Sequence, residues 1–104
     1  MKPLNPVTLF VTYQGEQDAH FDRSYYAKKH LPLVKASFTR YGLLSLSVFY
    51  PEINPSGTIA ICECIFRDET AISAAFNSPE ASAVMKDVIQ FTRIVPVRLR
   101  AIPL

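Results

Sequence analysis

The order of the regular segments constrains this chain most: helical and strand-like stretches follow one another as β-α-β-β-α-β. Val7-Thr-Leu-Phe-Val-Thr-Tyr13 alternates and is rich in β-branched and aromatic residues, which reads as a first strand. A polar loop over 14–19 leads to Asp22, placed as an N-cap with the apolar Phe21 before it. The helix it opens runs toward Tyr41, and Gly42 ends it. Pro32 lies inside that helix. Proline removes a backbone hydrogen bond and disfavours helical geometry at the residue before it, so a kink or break is expected at His30-Leu31-Pro32. Leu43 to Tyr50 reads as a second strand, and Pro51 to Gly57, with two prolines, Asn54 and Ser56, as a hairpin loop. Thr58 to Arg67 is a third strand. Asp68 or Thr70 opens a short helix through Phe76. Ser78 as N-cap and Pro79 at the first helical position restart it to about Gln90. Ile94 to Ile102 is the fourth strand, and Pro96 assigns it to an edge or a bulge.

This order is the ferredoxin-like α+β pattern in a single domain, 1–104. Right-handed crossovers put both helices on one face of a four-stranded antiparallel sheet and leave the other bare. Strand alternation gives the helix side Val7, Leu9, Val11 and Tyr13; Leu44, Leu46, Val48 and Tyr50; Ala60, Cys62, Cys64 and Phe66; Val95, Val97 and Leu99. The bare side receives Thr8, Phe10 and Thr12; Ser45, Ser47 and Phe49; Ile59, Ile61, Glu63 and Ile65; Arg98 and Arg100. The chain is 49% apolar and only 19% charged. Phe10, Phe49, Ile59, Ile61 and Ile65 are too many large apolar side chains for a solvent face. A second copy packed sheet against sheet would cover them, so a homodimer is expected. Glu63, the lone acid of its strand, is expected to pair with Arg98 or Arg100.

Other classes are excluded. The net charge is +2, and only Lys28-Lys29 are adjacent basic residues, so nucleic acid is not an expected partner. Cys62 and Cys64 are two apart on one strand, where a bridge would be strained, and no nearby histidine completes a zinc site. They read as reduced, buried thiols in a cytoplasmic protein. No signal-peptide pattern follows Met1, and no 18-residue apolar run is present, so no membrane partner is expected. Three glycines and no phosphate loop, nucleophile elbow or HExxH argue against nucleotide cradling, nucleophilic serine chemistry and a metalloprotease centre.

Chemistry concentrates on the first helix. Tyr26, His30, Leu33, Val34, Ser37, Phe38 and Tyr41 follow helical spacing and face the sheet. On position alone His30 reads first as an inert core histidine. Its near-neutral titration also fits general acid or base work, and Tyr26 on the same stripe could orient it or donate to a substrate carbonyl. Tyr13 at the end of the first strand could cap a pocket. Val34, Phe38, Cys64, Met85 and Phe91 would supply apolar binding walls. His20 lies in a loop and reads as solvated.

The run Phe21-Asp-Arg-Ser-Tyr-Tyr-Ala-Lys-Lys-His-Leu-Pro-Leu-Val34 resembles the EthD-like family, whose pattern is aromatic-x-x-x-Tyr-Tyr-x-x-x-His-x-Pro. Phe21, Tyr25, Tyr26, His30 and Pro32 occupy those positions. A strand ending in Phe66, Ala75-Phe76, Asp87 before Phe91-Thr92, and Pro96 in the last strand extend the resemblance over nearly all of the chain. The resemblance implies a dimeric α+β barrel. Its wider superfamily includes cofactor-free monooxygenases, polyketide cyclases, muconolactone-type isomerases and haem-degrading enzymes, with pockets between helices and sheet, which places His30 at the pocket. The expected function is a small cofactor-independent enzyme moving protons on a hydrophobic carbonyl-bearing or aromatic metabolite, with His30 and Tyr26 catalytic and no metal. A non-catalytic ligand-binding protein and a haem protein with His30 as axial ligand are the alternatives.

Overall fold

The computed structural model describes residues 5–16, 18–52 and 57–102. Strands β1 (Val7–Gly15), β2 (Leu43–Phe49), β3 (Gly57–Phe66) and β4 (Val97–Ala101) form one antiparallel sheet in the order β2-β3-β1-β4. Helices α1 (Arg23–Tyr25), α2 (Leu31–Phe38), α3 (Glu69–Phe76) and α4 (Pro79–Asp87) supply the other layer. This is the expected ferredoxin-like arrangement, with β4 and its preceding Pro96 at an edge. The loop expected over Pro51 to Gly57 lies partly outside the described residues. No helix among the described residues is long and apolar enough to cross a membrane.

Local chemistry sets the helix ends. Asp22 accepts from the Tyr25 amide at 3.0 Å, and Asp68 accepts from the Ala71 amide at 2.8 Å. The break expected at Pro32 takes another form. Tyr26–His30 is a π-helical turn, with the Leu31 amide bonded to the Tyr26 carbonyl five residues back. The wider turn sits just upstream of the proline, which has no amide hydrogen to give and whose ring would crowd the carbonyl four residues before it. The helix then continues through Pro32 to Phe38. Ser78 precedes α4 as expected but does not cap it: its hydroxyl donates to the Ala75 carbonyl at 2.6 Å.

Two buried clusters fill the space between the layers. One joins Leu9, Val34, Phe38, Leu43, Cys62, Cys64, Phe66, Ala71, Ala75, Ala81 and Val84. The other joins Tyr13, Tyr26, Ile59, Ala60, Val88 and Phe91. A bridge between Phe21 and Thr92, an Asp22 amide to Phe91 carbonyl bond of 2.8 Å and a Thr92 hydroxyl to His20 carbonyl bond of 2.6 Å clamp the start of the first helix to the segment after α4.

Strand register corrects several face assignments. The β2–β3 pairing shifts between Leu43 and Ser45, so Leu43 is the buried residue and Leu44, expected toward the helices, is 53% exposed. A second irregularity opposite Tyr13 and Gln14 places Ile59, expected on the bare face, in a buried cluster beside Ala60. The phase of β4 is the reverse of that expected. Arg98 pairs across from Val11 and Arg100 from Leu9, which puts both arginines on the helix side, while Leu99 joins Phe10 and Val97 joins Thr12. Arg98 covers the Phe76 ring and Arg100 pairs with Glu69 on α3, so neither meets Glu63 within the chain. Val95, also expected against the helices, lies exposed ahead of the strand. The bare face then reads in rows across the sheet as Phe49-Ile61-Thr12-Val97, Ser47-Glu63-Phe10-Leu99 and Ser45-Ile65-Thr8-Ala101.

Gly42 ends the first helical region at φ +114, and a Cβ there would meet the Ala71 Cβ at 2.6 Å. Left-handed backbone and overlap both oppose a side chain, so Gly42→Ala is expected to lower unfolding free energy by about 2 kcal/mol or more in urea titration. An unchanged midpoint would show that the turn relaxes freely.

Candidate active site

The π turn places two buried aromatic side chains four residues apart. Tyr26 and His30 stack with ring centroids 5.5 Å apart at 17°. Phe91 packs behind both, 4.9 Å from Tyr26 and 4.6 Å from His30. The imidazole is almost fully buried in this aromatic setting and needs a polar partner. Asp87, at the end of α4, supplies it: Oδ2 lies 3.0 Å from His30 Nδ1, and Oδ1 accepts from the Tyr25 hydroxyl at 2.7 Å. An ionised carboxylate only accepts, so Nδ1 carries the proton of the neutral imidazole and Nε2 is left as the basic nitrogen.

His30 lines a cavity of about 630 Å³ between the helices and the sheet, large enough for a mid-sized organic ligand. Tyr13, Tyr26, Val34, Phe38, Cys64 and Met85 line it too. Of the binding residues expected from sequence, Phe91 alone is outside the lining and instead backs His30. Asn77, Ser78, Ser82 and Arg98 add polar groups to the wall. Among the described residues, no group of three or more histidine, cysteine or acidic side chains could hold a metal ion.

Burial sets the protonation states. It pushes the His30 imidazole below its ordinary value against the opposing pull of Asp87, which favours a neutral base. Burial pushes the phenols of Tyr13 and Tyr26 up, so both remain neutral hydroxyls. Contact with Cys62, whose sulfur is 3.7 Å away, and burial push the Cys64 thiol up and keep it protonated. The hydrogen bond to Asp87 raises Tyr25.

Asp87 and Tyr25 have no site role in the sequence reading. Asp87 belongs to a distant helix and enters the sequence reading only as a matched position of the family resemblance; its place beside Val84, Val88 and Phe91, an acid bordering an apolar stripe, is the signal that a buried imidazole could find its partner there. Tyr25, adjacent to Tyr26, reaches the same carboxylate because successive helical residues diverge by about 100°.

The family model of the EthD domain matches residues 14–93, more than half of the chain. The chain belongs to the EthD family. Among solved structures, an EthD-like protein from Ralstonia eutropha JMP134 is similar at 23% identity, with 95% of this chain and 92% of that chain covered and a TM-score of 0.80. SnoaB, a cofactor-independent oxygenase from Streptomyces nogalater, is similar at 12% identity over 96% of each chain, TM-score 0.68. A dimeric ferredoxin-like protein of unknown function from Jannaschia sp. CCS1 is similar at 14% identity over 93% of this chain and 100% of that one, TM-score 0.63. At these identities the likeness establishes the shared fold. No curated protein matches the chain.

In the EthD-family site, Asp87 is the one group that pulls the His30 pKa upward. Asp87→Asn is therefore expected to lower the His30 pKa further, read by NMR titration of the imidazole. The sign for stability follows. The folded pKa is depressed below the unfolded value of about 6.5, so the unfolded chain holds more protons between the two. The His30 contribution is fully present above about pH 6.5 and is lost as pH falls toward the folded pKa. Asp87→Asn extends that window to lower pH. An imidazole pKa unmoved by the substitution would show that Asp87 does not govern it.

Proposed function

We propose that this chain is a cofactor-independent enzyme that moves a proton on a hydrophobic, carbonyl-bearing or aromatic metabolite. The observation that carries the reading is the Tyr25–Asp87–His30 chain, which ends on a neutral imidazole at the wall of a largely apolar cavity. His30 Nε2 takes a proton from the carbon next to the substrate carbonyl, or from a phenol. The electron pair left behind becomes an enolate or phenolate. The imidazolium, held by the Asp87 carboxylate, returns that proton at another position, which completes an isomerisation, or at the product of an internal ring closure. In an oxygenase variant, dioxygen is the co-substrate and oxidant: the carbanion gives its electrons to dioxygen and forms a C–O bond, the peroxide anion takes the proton from the imidazolium, and loss of water leaves a new carbonyl on that carbon. Asp87 orients the ring and favours the charged form during transfer. Tyr26, neutral and stacked on His30, is a candidate donor to the developing oxyanion. The likeness to a cofactor-independent oxygenase supports a fold suited to such chemistry.

The cavity belongs to one copy of the chain, and the bare sheet face belongs to an expected second copy. Phe10, Phe49, Ile61, Ile65 and Leu99 form an apolar lattice interrupted by Glu63, which supports a second copy packing there, and the likeness to a protein described as dimeric supports two copies.

A screen of phenolic, polyketide-like and lactone substrates tests the catalytic reading. His30→Gln is expected to lower kcat by about 100- to 10,000-fold, with ligand affinity changed little. Asp87→Asn is expected to cost less than His30→Gln. Ligand binding without turnover in any variant or in the wild type would identify a binding protein instead. Sedimentation at micromolar concentration is expected to give a dimer, and Phe49→Glu to shift it to monomer. A monomeric wild type would overturn the sheet-to-sheet pairing.

A further inference from the structure

The arginines divide by what they touch. Arg40 pairs with Glu80, Arg67 with Asp68 and Arg100 with Glu69, and Arg23 lies over the Tyr50 ring. Arg98 has no carboxylate partner among the described residues. Its guanidinium carbon lies 4.4 Å from the centre of the Phe76 ring, and both residues line the cavity that His30 lines. A guanidinium lying over an aromatic face keeps the donors along its edge available in one plane, the arrangement that meets a carboxylate through two parallel hydrogen bonds. Asn77 and Ser82 bring a side-chain amide and a hydroxyl to the same wall.

The position of Arg98 relative to the reacting base can be read from packing. His30 packs on Tyr26 and Phe91 in one buried cluster, and Phe76 packs against the other, with Phe38 and Phe66. The cavity touches both clusters. A ligand filling it would meet an imidazole beside one aromatic group and a guanidinium on another, and the aliphatic side chains of Val11, Val34 and Val84 elsewhere on the lining.

We infer that the substrate of this site is an amphipathic acid: an apolar, ring-bearing body presented to His30 and a carboxylate held by Arg98 on Phe76. The inference rests on the functional reading above for the role of His30, and on Arg98 and Phe76 alone for the carboxylate. Arg98 is here a specificity-determining residue. It takes no part in the proton transfer.

The test uses 2-naphthoic acid and its methyl ester, which share the ring system and differ in charge. The chain has no tryptophan, so naphthyl fluorescence reports binding directly. The wild type is expected to bind the acid about tenfold or more tighter than the ester, the range given by hydrogen bonds to a charged group. Arg98→Gln is expected to abolish that preference while leaving ester affinity in place, and Arg98→Lys to restore part of it. His30→Gln is expected to keep it. Equal affinity for acid and ester in the wild type, equal loss of both in Arg98→Gln, or binding of neither at millimolar concentration would overturn the inference. A preference for the acid that depends on Arg98, in a protein whose turnover is indifferent to His30→Gln, would retain the carboxylate site and remove the catalytic reading instead.

Discussion

Pro32 cannot donate a backbone hydrogen bond, and much of the site follows from that gap. Its ring would crowd the Lys28 carbonyl in a regular helix, so the chain widens one turn earlier and closes it with a five-residue hydrogen bond from Leu31 to Tyr26. The wider turn begins and ends on the two buried side chains of the segment, Tyr26 and His30, which lie ring on ring. The regular helix of Leu31–Phe38 then resumes and anchors Val34 and Phe38 in the core. The irregularity is thus confined to one turn whose two buried ends, Tyr26 and His30, line the cavity while Ala27, Lys28 and Lys29 stay exposed.

Two opposing effects act on His30. Burial among Tyr26 and Phe91 disfavours the charged ring, while the Asp87 carboxylate favours it, and burial is the larger. The resting state is a neutral base, and the cost of charging it is reduced by a carboxylate already in place. Tyr25 holds the second oxygen of that carboxylate, so Asp87 is fixed from two sides by adjacent turns of one helical region. A proton taken up at Nε2 therefore meets a compensating charge without rearrangement of the surroundings, which is the condition under which a buried imidazole can cycle.

Features decided within a few residues were legible in the sequence. Asp22 caps the first helix through the amide three residues on, Gly42 ends it because of its own backbone angle, and the segment order fixes the sheet. What pairing decides was not legible. One additional residue near Leu44 turns it outward, and the register of β4 against β1 sends Arg98 inward and Leu99 outward, although alternation alone fits either phase. Asp87 escaped for a related reason. Its partner His30 is 57 residues away, and only the packing of α4 against the first helical region brings the two together.

The inverted phase of β4 changes what both sides of the sheet can do. With Arg98 and Arg100 on the bare face, two cations would have stood beside Glu63 in a potential contact surface. With both turned toward the helices, the bare face gains Val97 and Leu99 and retains a single acid, which makes it more apolar than alternation had implied. On the helix side, Arg100 is neutralised by Glu69, whereas Arg98 meets only an aromatic ring. One register choice thus clears charge from the surface where a second copy would pack and delivers an uncompensated positive group to the cavity wall. On the proposed reading, the second consequence would let a largely apolar pocket beside His30 sort its ligands by charge.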